Sequence, residues 1–391
     1  MNLMMSTQEY RDTCRAVILG AAIGDAIAFP YKDYSRTFLH ALARPISERF
    51  GEFGSARHSA GQFSGETQGL LAVCTGIIEA RRIDGQTIAE HLAPLWRELT
   101  ILDPHPANTE SLTRFVKGYA EWNDCAHGDG RIDHSALTRS IPLGLWRDIE
   151  RPEQLADDMR ATVGITHSDP LPLACGAGIA AAISFNFGPN DLVLGDFLDH
   201  IAAAVAPLHN ELAETVQDLP RILTQTDGRA WQLIDELLQS SDHETRLDGC
   251  NDYCVPTFIL SLYYFLKSPE QYERTLRRVS RLGGEMGPVV TITSAISASR
   301  CGLREIPERL KSTLLHRDTI DEVIDDFVDV LLTCSDHAET EAAAERETAV
   351  ELERGNSEGD DAEDDVDNPP FVIESDLDAP NTESESHRDE D

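Results

Sequence analysis

The sequence predicts an all-α fold: a compact multi-helix domain over residues 1–335 and an acidic, largely disordered tail over residues 336–391. Three observations lead there. Apolar residues recur with helical spacing, the long apolar runs near the C-terminal end of the domain contain no glycine, and no regular series of β-branched and aromatic runs separated by turn residues occurs.

The elements follow in chain order. Val17–Ala28 is apolar and rich in small residues, with Gly20, Ala21, Ala22, Gly24, Ala26 and Ala28. Leu70, Val73, Cys74, Ile77 and Ile78 form one amphipathic stripe. Leu171–Ile183 is a second small-residue helix, carrying Gly176 and Gly178. Each interior glycine costs a helix about 1 kcal/mol relative to alanine, so its presence implies close helix–helix approach. Val255–Leu266, a stripe of Val289, Ile292, Ile296 and Ser299, and Ile320–Leu332 complete the core helices. Breakers cluster at Phe50–Gly61, Asp103–Asn108, His127–Asp133, Gly188–Asn190 and Leu247–Asn251, which read as loops. About a dozen helices without internal repeat is the resulting picture.

Charge and composition narrow the function. The 391 residues are 41% hydrophobic, enough for one large core, and the net charge is −36. Residues 336–391 hold 22 acidic residues against 3 arginines, so −19 of that charge lies in the tail. An acidic body argues against a nucleic-acid partner, which is held through Lys and Arg on phosphates. No stretch reads as about 20 uninterrupted apolar residues, so no membrane span is expected, and Met1–Thr13 lacks the pattern of a signal peptide. Eight cysteines are scattered; only Cys250 and Cys254 are close, as on one helix face. Reduced thiols and a cytoplasmic location are the expectation. Within the tail, Pro369, Pro370, Phe371, Val372 and Ile373 form an apolar island, read either as a chance cluster or as a docking motif for a protein partner.

Four collinear segments carry the chemistry. Gly20-Ala21-Ala22-Ile23-Gly24-Asp25-Ala26 is followed by Phe29-Pro30-Tyr31-Lys32. Gly61-Gln62-Phe63-Ser64-Gly65-Glu66-Thr67-Gln68 heads a helix. Thr138-Arg139-Ser140-Ile141-Pro142 precedes Gly164-Ile165-Thr166-His167-Ser168-Asp169-Pro170. Gly283-Gly284-Glu285-Met286-Gly287-Pro288 opens the last core helix. In this order and spacing, from about Thr13 to Leu310, the chain resembles the ADP-ribosylglycohydrolase family. The resemblance implies a compact all-α domain. It implies two Mg²⁺ or Mn²⁺ ions beside ADP-ribose, and hydrolysis of the bond joining ADP-ribose to a side chain or small molecule.

The matching positions are altered. The family's first metal segment, Thr/Ser-Asp-Asp-Thr, reads Ser64-Gly65-Glu66-Thr67. In its second, Gly-Gly-Asp-x-Asp-Thr, Glu285, Gly287 and Pro288 replace the two Asp and the Thr. Lys32 stands where an acid is common, Asp133-His134-Ser135 replaces a Gly-Asn-Gly phosphate loop, and Asp169 replaces a second His after His167. Mg²⁺ needs near-octahedral oxygen ligation anchored by carboxylates. Only Ser64, Glu66 and Glu285 remain as remnants of the metal set, so no resident cofactor is expected although the ancestral ion is Mg or Mn.

The resemblance places Asp25, Lys32, Arg139, His167 and Asp169 on a substrate pocket for an ADP-ribose-like ligand. It leaves Glu66 and Glu285 as the catalytic groups if activity persists. Three readings stay open: a binding or regulatory pseudoenzyme, an active hydrolase with one metal or none, and a structural interaction protein with a closed cleft. Ser64, Glu66 and Glu285 also fit a plainer role at helix starts. If Glu66 and Glu285 converge without a metal, either one of them holds a proton or a side-chain cation occupies the space, with Lys32 the first candidate and Arg57 or Arg139 the alternatives.

Overall fold

The computed structural model describes residues 5–51, 58–126, 130–146, 152–187, 191–236 and 249–334. Arg57 and the Pro369–Ile373 island lie outside them. The chain divides into two units, Met1–Ser335 and Asp336–Asp391. Among the described residues there is no β-strand, only isolated bridges at Asp133–Tyr253 and Cys250–Gly284.

Seven helices position the site: α1 (Thr7–Ala28), α2 (Gly65–Ala80), α3 (Pro106–Val116), α4 (Pro170–Ser184), α5 (Leu194–Val205), α6 (Cys254–Leu266) and α7 (Gly287–Cys301). Ser6 starts α1 with a reciprocal cap: its hydroxyl accepts from Glu9 N, and Glu9 accepts from Ser6 N at 2.8 Å. Helix α1 packs most closely on α7. A Cβ added at Gly20 would lie 2.6 Å from Ala298 Cβ, and one at Gly24 would lie 2.6 Å from Ser294 Oγ. The small residues are therefore there for backbone approach, and the helix-propensity cost is offset by dense packing.

Helix α4 runs through the centre, between α5 and α6, and is buried almost all round. Residues 317–334 form a further helix, as their glycine-free apolar pattern indicates. By length and hydropathy, Thr7–Tyr31 and Pro170–Phe187 do reach what a membrane span needs, which corrects the reading of the sequence. They are 78% and 72% buried inside the fold, the pattern of core helices. Cys250 lies before the start of α6, so it does not share a helix face with Cys254; all eight cysteines are free thiols.

Candidate functional site

Two glycine turns, one opening α2 and one opening α7, meet the C-terminal end of α1. The first turn is organised around Asp25, in the last turn of α1. Its carboxylate is buried and accepts four hydrogen bonds. Oδ1 takes Ser64 Oγ at 2.7 Å; Oδ2 takes Ser64 N at 2.9 Å, Thr67 N at 3.1 Å and Thr67 Oγ1 at 2.6 Å. The Ser64 hydroxyl also accepts from Glu66 N at 3.2 Å, as the N-cap of α2. Burial raises the Asp25 pKa, and these donors work in the opposite direction. Both groups are thus occupied by the helix start. Ser64 is a cap rather than a free ligand, and Asp25 borders the cleft with its oxygens already used.

Glu66 points from the first turn of α2 into the same cleft. Thr138 Oγ1 donates to its Oε2 at 2.7 Å. Burial pushes its pKa up to about 8, with the Thr138 bond opposing, so the side chain is mostly protonated at neutral pH. Gly65, where the family has an Asp, is crowded: an added Cβ would lie 2.7 Å from Leu102 O. That carbonyl accepts from Gly65 N at 2.8 Å, and Gln68 Oε1 accepts from Leu102 N at 2.7 Å. The loop at residues 100–103 is stitched to the head of α2 and fills the space that a side chain on Gly65 would need.

The second turn has two successive left-handed residues, Gly283 at φ 74° and Gly284 at φ 63°. A Cβ on Gly283 would meet Arg36 N at 2.4 Å, and one on Gly284 would meet Cys250 O at 2.3 Å. Gly284 N donates to Tyr34 O at 2.8 Å and Glu285 N to Cys250 O at 2.9 Å, so the turn is tied to the segment after Lys32. Lys32 Nζ lies 2.8 Å from Asp103 Oδ2 and 3.5 Å from Glu285 Oε2. Each of the three side chains is about one third exposed. Burial works against the ammonium, but Asp103 and Glu285 outweigh it and raise the Lys32 pKa. Burial raises that of Glu285, with Lys32 opposing. The ion pair expected between Lys32 and an acid of the metal segments is present, with Asp103 as its closer partner. At Gly287, by contrast with Gly65, an added Cβ would meet nothing within 4 Å.

Behind the cleft lies a directed hydrogen-bond chain. The Arg139 guanidinium donates to Thr166 Oγ1 and to Asn108 Oδ1, the latter at 3.0 Å. Thr166 Oγ1 is 2.9 Å from His167 Nδ1, and His167 Nε2 is 3.0 Å from Asp133 Oδ1. Burial lowers the His167 pKa, so its neutral ring accepts at Nδ1 and donates at Nε2. Burial works against the Asp133 charge, but His167 and Ser135 outweigh it and hold Asp133 well below the usual carboxylate range. Burial lowers Arg139 to about 10; it stays charged, with no carboxylate in ion-pair range among the described residues. His105 caps α3, accepting from Ala107 N at 3.3 Å. It also lies 3.5 Å from Asp133 Oδ1 and 3.8 Å from Asp252 Oδ2, whose charges raise its pKa against burial. His134, bonded to Thr257 Oγ1 at 2.7 Å, is held neutral by burial, its pKa lowered to about 4.

The residues singled out from the sequence therefore divide. Asp25, Lys32, Ser64, Glu66 and Glu285 border one cavity of about 30 Å³. Arg139 and His167 are 3% and 0% exposed and form its backing rather than its surface. Asp169 caps α4, accepting from Leu171 N at 2.9 Å, and does not border this cavity. Asp133 is also not a free anion facing a ligand. Asp103, His105 and Asp252 were missed, and the available signal was Asp103-Pro104-His105-Pro106, a dipeptide repeat whose prolines stiffen the backbone on both sides of His105. Larger hollows of about 770 Å³ near Arg304 and about 620 Å³ near Tyr119 hold none of the acids of the two turns.

A pair of divalent ions does not fit these residues. Asp25 and Ser64 are spent on α2, Glu66 is tied to Thr138 with its pKa raised by burial, and an ammonium already sits on Asp103 and Glu285. Among the described residues no three His, Cys, Asp or Glu side chains group as metal ligands.

No protein of curated function matches the chain significantly. In fold it is similar to a solved structure described as an ADP-ribosylglycohydrolase-related protein complex. The TM-score is 0.64 at 18% identity, covering 83% of this chain and 99% of that one. The family model for ADP-ribosylglycohydrolase matches residues 6–336. With the order of the four segments, that match over most of its length shows that the chain belongs to the ADP-ribosylglycohydrolase family.

Proposed function

We propose that this family member is a binding or regulatory protein whose dinuclear hydrolytic centre has been replaced by side chains. The observation that carries the reading is Lys32 shared between Asp103 and Glu285. The ammonium offsets one of the two negative charges of these acids and occupies the place between them that Mg²⁺ would need. The ligand class that the family suggests is ADP-ribose-containing. The hollow between the two turns, about 30 Å³, takes roughly one water, whereas ligand sites run to about 300–1,000 Å³, so an ADP-ribose-like ligand would bind beside this hollow rather than in it. Eight free thiols suit a reducing, cytoplasmic setting.

The test is calorimetry of the full chain with ADP-ribose, with and without Mg²⁺, beside an assay for ADP-ribose released from ADP-ribosylated arginine. The expected result is no Mg²⁺-dependent release and no effect of Mg²⁺ on binding. Mg²⁺-dependent turnover would overturn the reading, and absence of any ADP-ribose binding would select a closed interaction protein.

One observation favours a second reading. Glu66 keeps a proton near neutral pH in a cleft beside His105, as a general acid must. Metal-independent release, lost in Glu66→Gln, would establish it.

A further inference from the structure

We infer that Lys32 sets the cation specificity of the cleft: it is a tethered ammonium in the role of a bound ion, and it keeps divalent ions out. This rests on the reading of the site as metal-independent and extends it to the residue responsible. Three loops hold the arrangement. Gly284 N on Tyr34 O ties the Lys32 segment to the turn bearing Glu285. Asp33, at φ 68°, turns the chain directly after Lys32. Asp103 is carried in by the loop pinned to Gly65 and Gln68. The ammonium therefore does not reach into the cleft by chance of rotamer; its backbone and both partners are positioned independently of the ion pair.

The charge count explains the exclusion. Asp103 and Glu285 bring two negative charges and Lys32 returns one, while buried Asp25 and half-buried Glu66 are carboxyls with raised pKa values. A divalent ion entering beside Lys32 meets a cation at contact range. Without Lys32, two carboxylates face each other unneutralised, across a gap bounded by the 2.8 and 3.5 Å contacts they now make with one nitrogen. Divalent–oxygen bonds run to about 2.0–2.6 Å, so the two acids together need to close by about 1–2 Å to share one ion, most of it at Glu285. Gly287 leaves open space beside them.

The experiment is Mn²⁺ titration, read by the electron spin resonance of free ion, on the full chain and on Lys32→Met. We expect weak binding in the parent and one Mn²⁺ bound at least about tenfold more tightly in Lys32→Met, the scale of one contact charge removed from a carboxylate site. Lys32→Arg should behave as the parent, and Lys32→Met/Glu285→Gln should lose the gain. Lys32→Gln serves in place of Lys32→Met if the latter does not fold by circular dichroism. No gain in either folded variant overturns the role of Lys32 while the metal-independent reading stands. Two Mn²⁺ bound tightly by the parent overturns that reading itself.

Discussion

The glycine turns that open α2 and α7 flank one cleft, and they are held by different physics. At α2 the turn is closely packed and hydrogen-bonded. Asp25 collects four donors, Glu66 holds a proton against Thr138, and Leu102 O closes over Gly65. At α7 the turn has stayed ionic and partly open. Glu285 is one third exposed and leans on Lys32, and Gly287 looks into empty space. A side chain is thus hard to accommodate at Gly65 and easy at Gly287. The difference is what lies beside each turn: a backbone loop in the first case, a flexible side chain in the second.

Substitutions in the two turns should separate accordingly. The largest effect is expected from Asp25→Ala, which strands the buried donors of Ser64 and Thr67. We expect a loss of about 3–5 kcal/mol in urea unfolding, and a loss under about 1 kcal/mol would mean water replaces the carboxylate without cost. Gly65→Asp should follow at about 2–4 kcal/mol, because its Cβ is driven against Leu102 O and the pinned loop must shift. A neutral outcome would show the loop to be loosely held and the turns equivalent after all.

Glu66 supplies a pH test. Its ordinary value is 4.5 and its folded value about 8, so between these the folded state keeps a proton that the unfolded chain has lost. Stability falls as pH rises from about 4.5 to 8 and levels off above. Glu66→Gln removes that slope. The variant should match the parent near pH 4.5 and exceed it by about 1–3 kcal/mol at pH 8.5, the figure discounted for partial exposure. A parent whose stability rises over this interval would contradict a protonated Glu66. Asp25 and Glu285, also raised, leave a residual slope of the same sign.

The smallest effect is expected at Gly287→Asp. The position is the first of α7, an added Cβ meets nothing, and an acid there suits the helix dipole. The melting temperature should stay within about 2 °C, corresponding to about 0.5 kcal/mol. A large drop would close the gap between the two turns from the other side.

The sequence by itself determined the helices and the ancestry. The apolar period of α2 and α7, the small residues of α1 and the order of the four segments are local patterns, and each is set by backbone geometry and by what one helix needs in order to bury a face. It also singled out Gly65, Gly287, Pro288 and Lys32 as positions where this chain departs from the family pattern. Tertiary structure alone decided what each surviving group does. Asp25 and Ser64 became a helix start, Asp169 a cap, and His167 a link between Thr166 and Asp133, because hydrogen-bond partners come from segments that are distant in the chain. Asp103 and His105 entered the cleft from a loop with no matching motif, brought there by the bonds that join residues 100–102 to α2. A charge or a proton is assigned by everything within a few ångströms. That neighbourhood is drawn from α1, α2, α7 and two loops, and no window of sequence contains it.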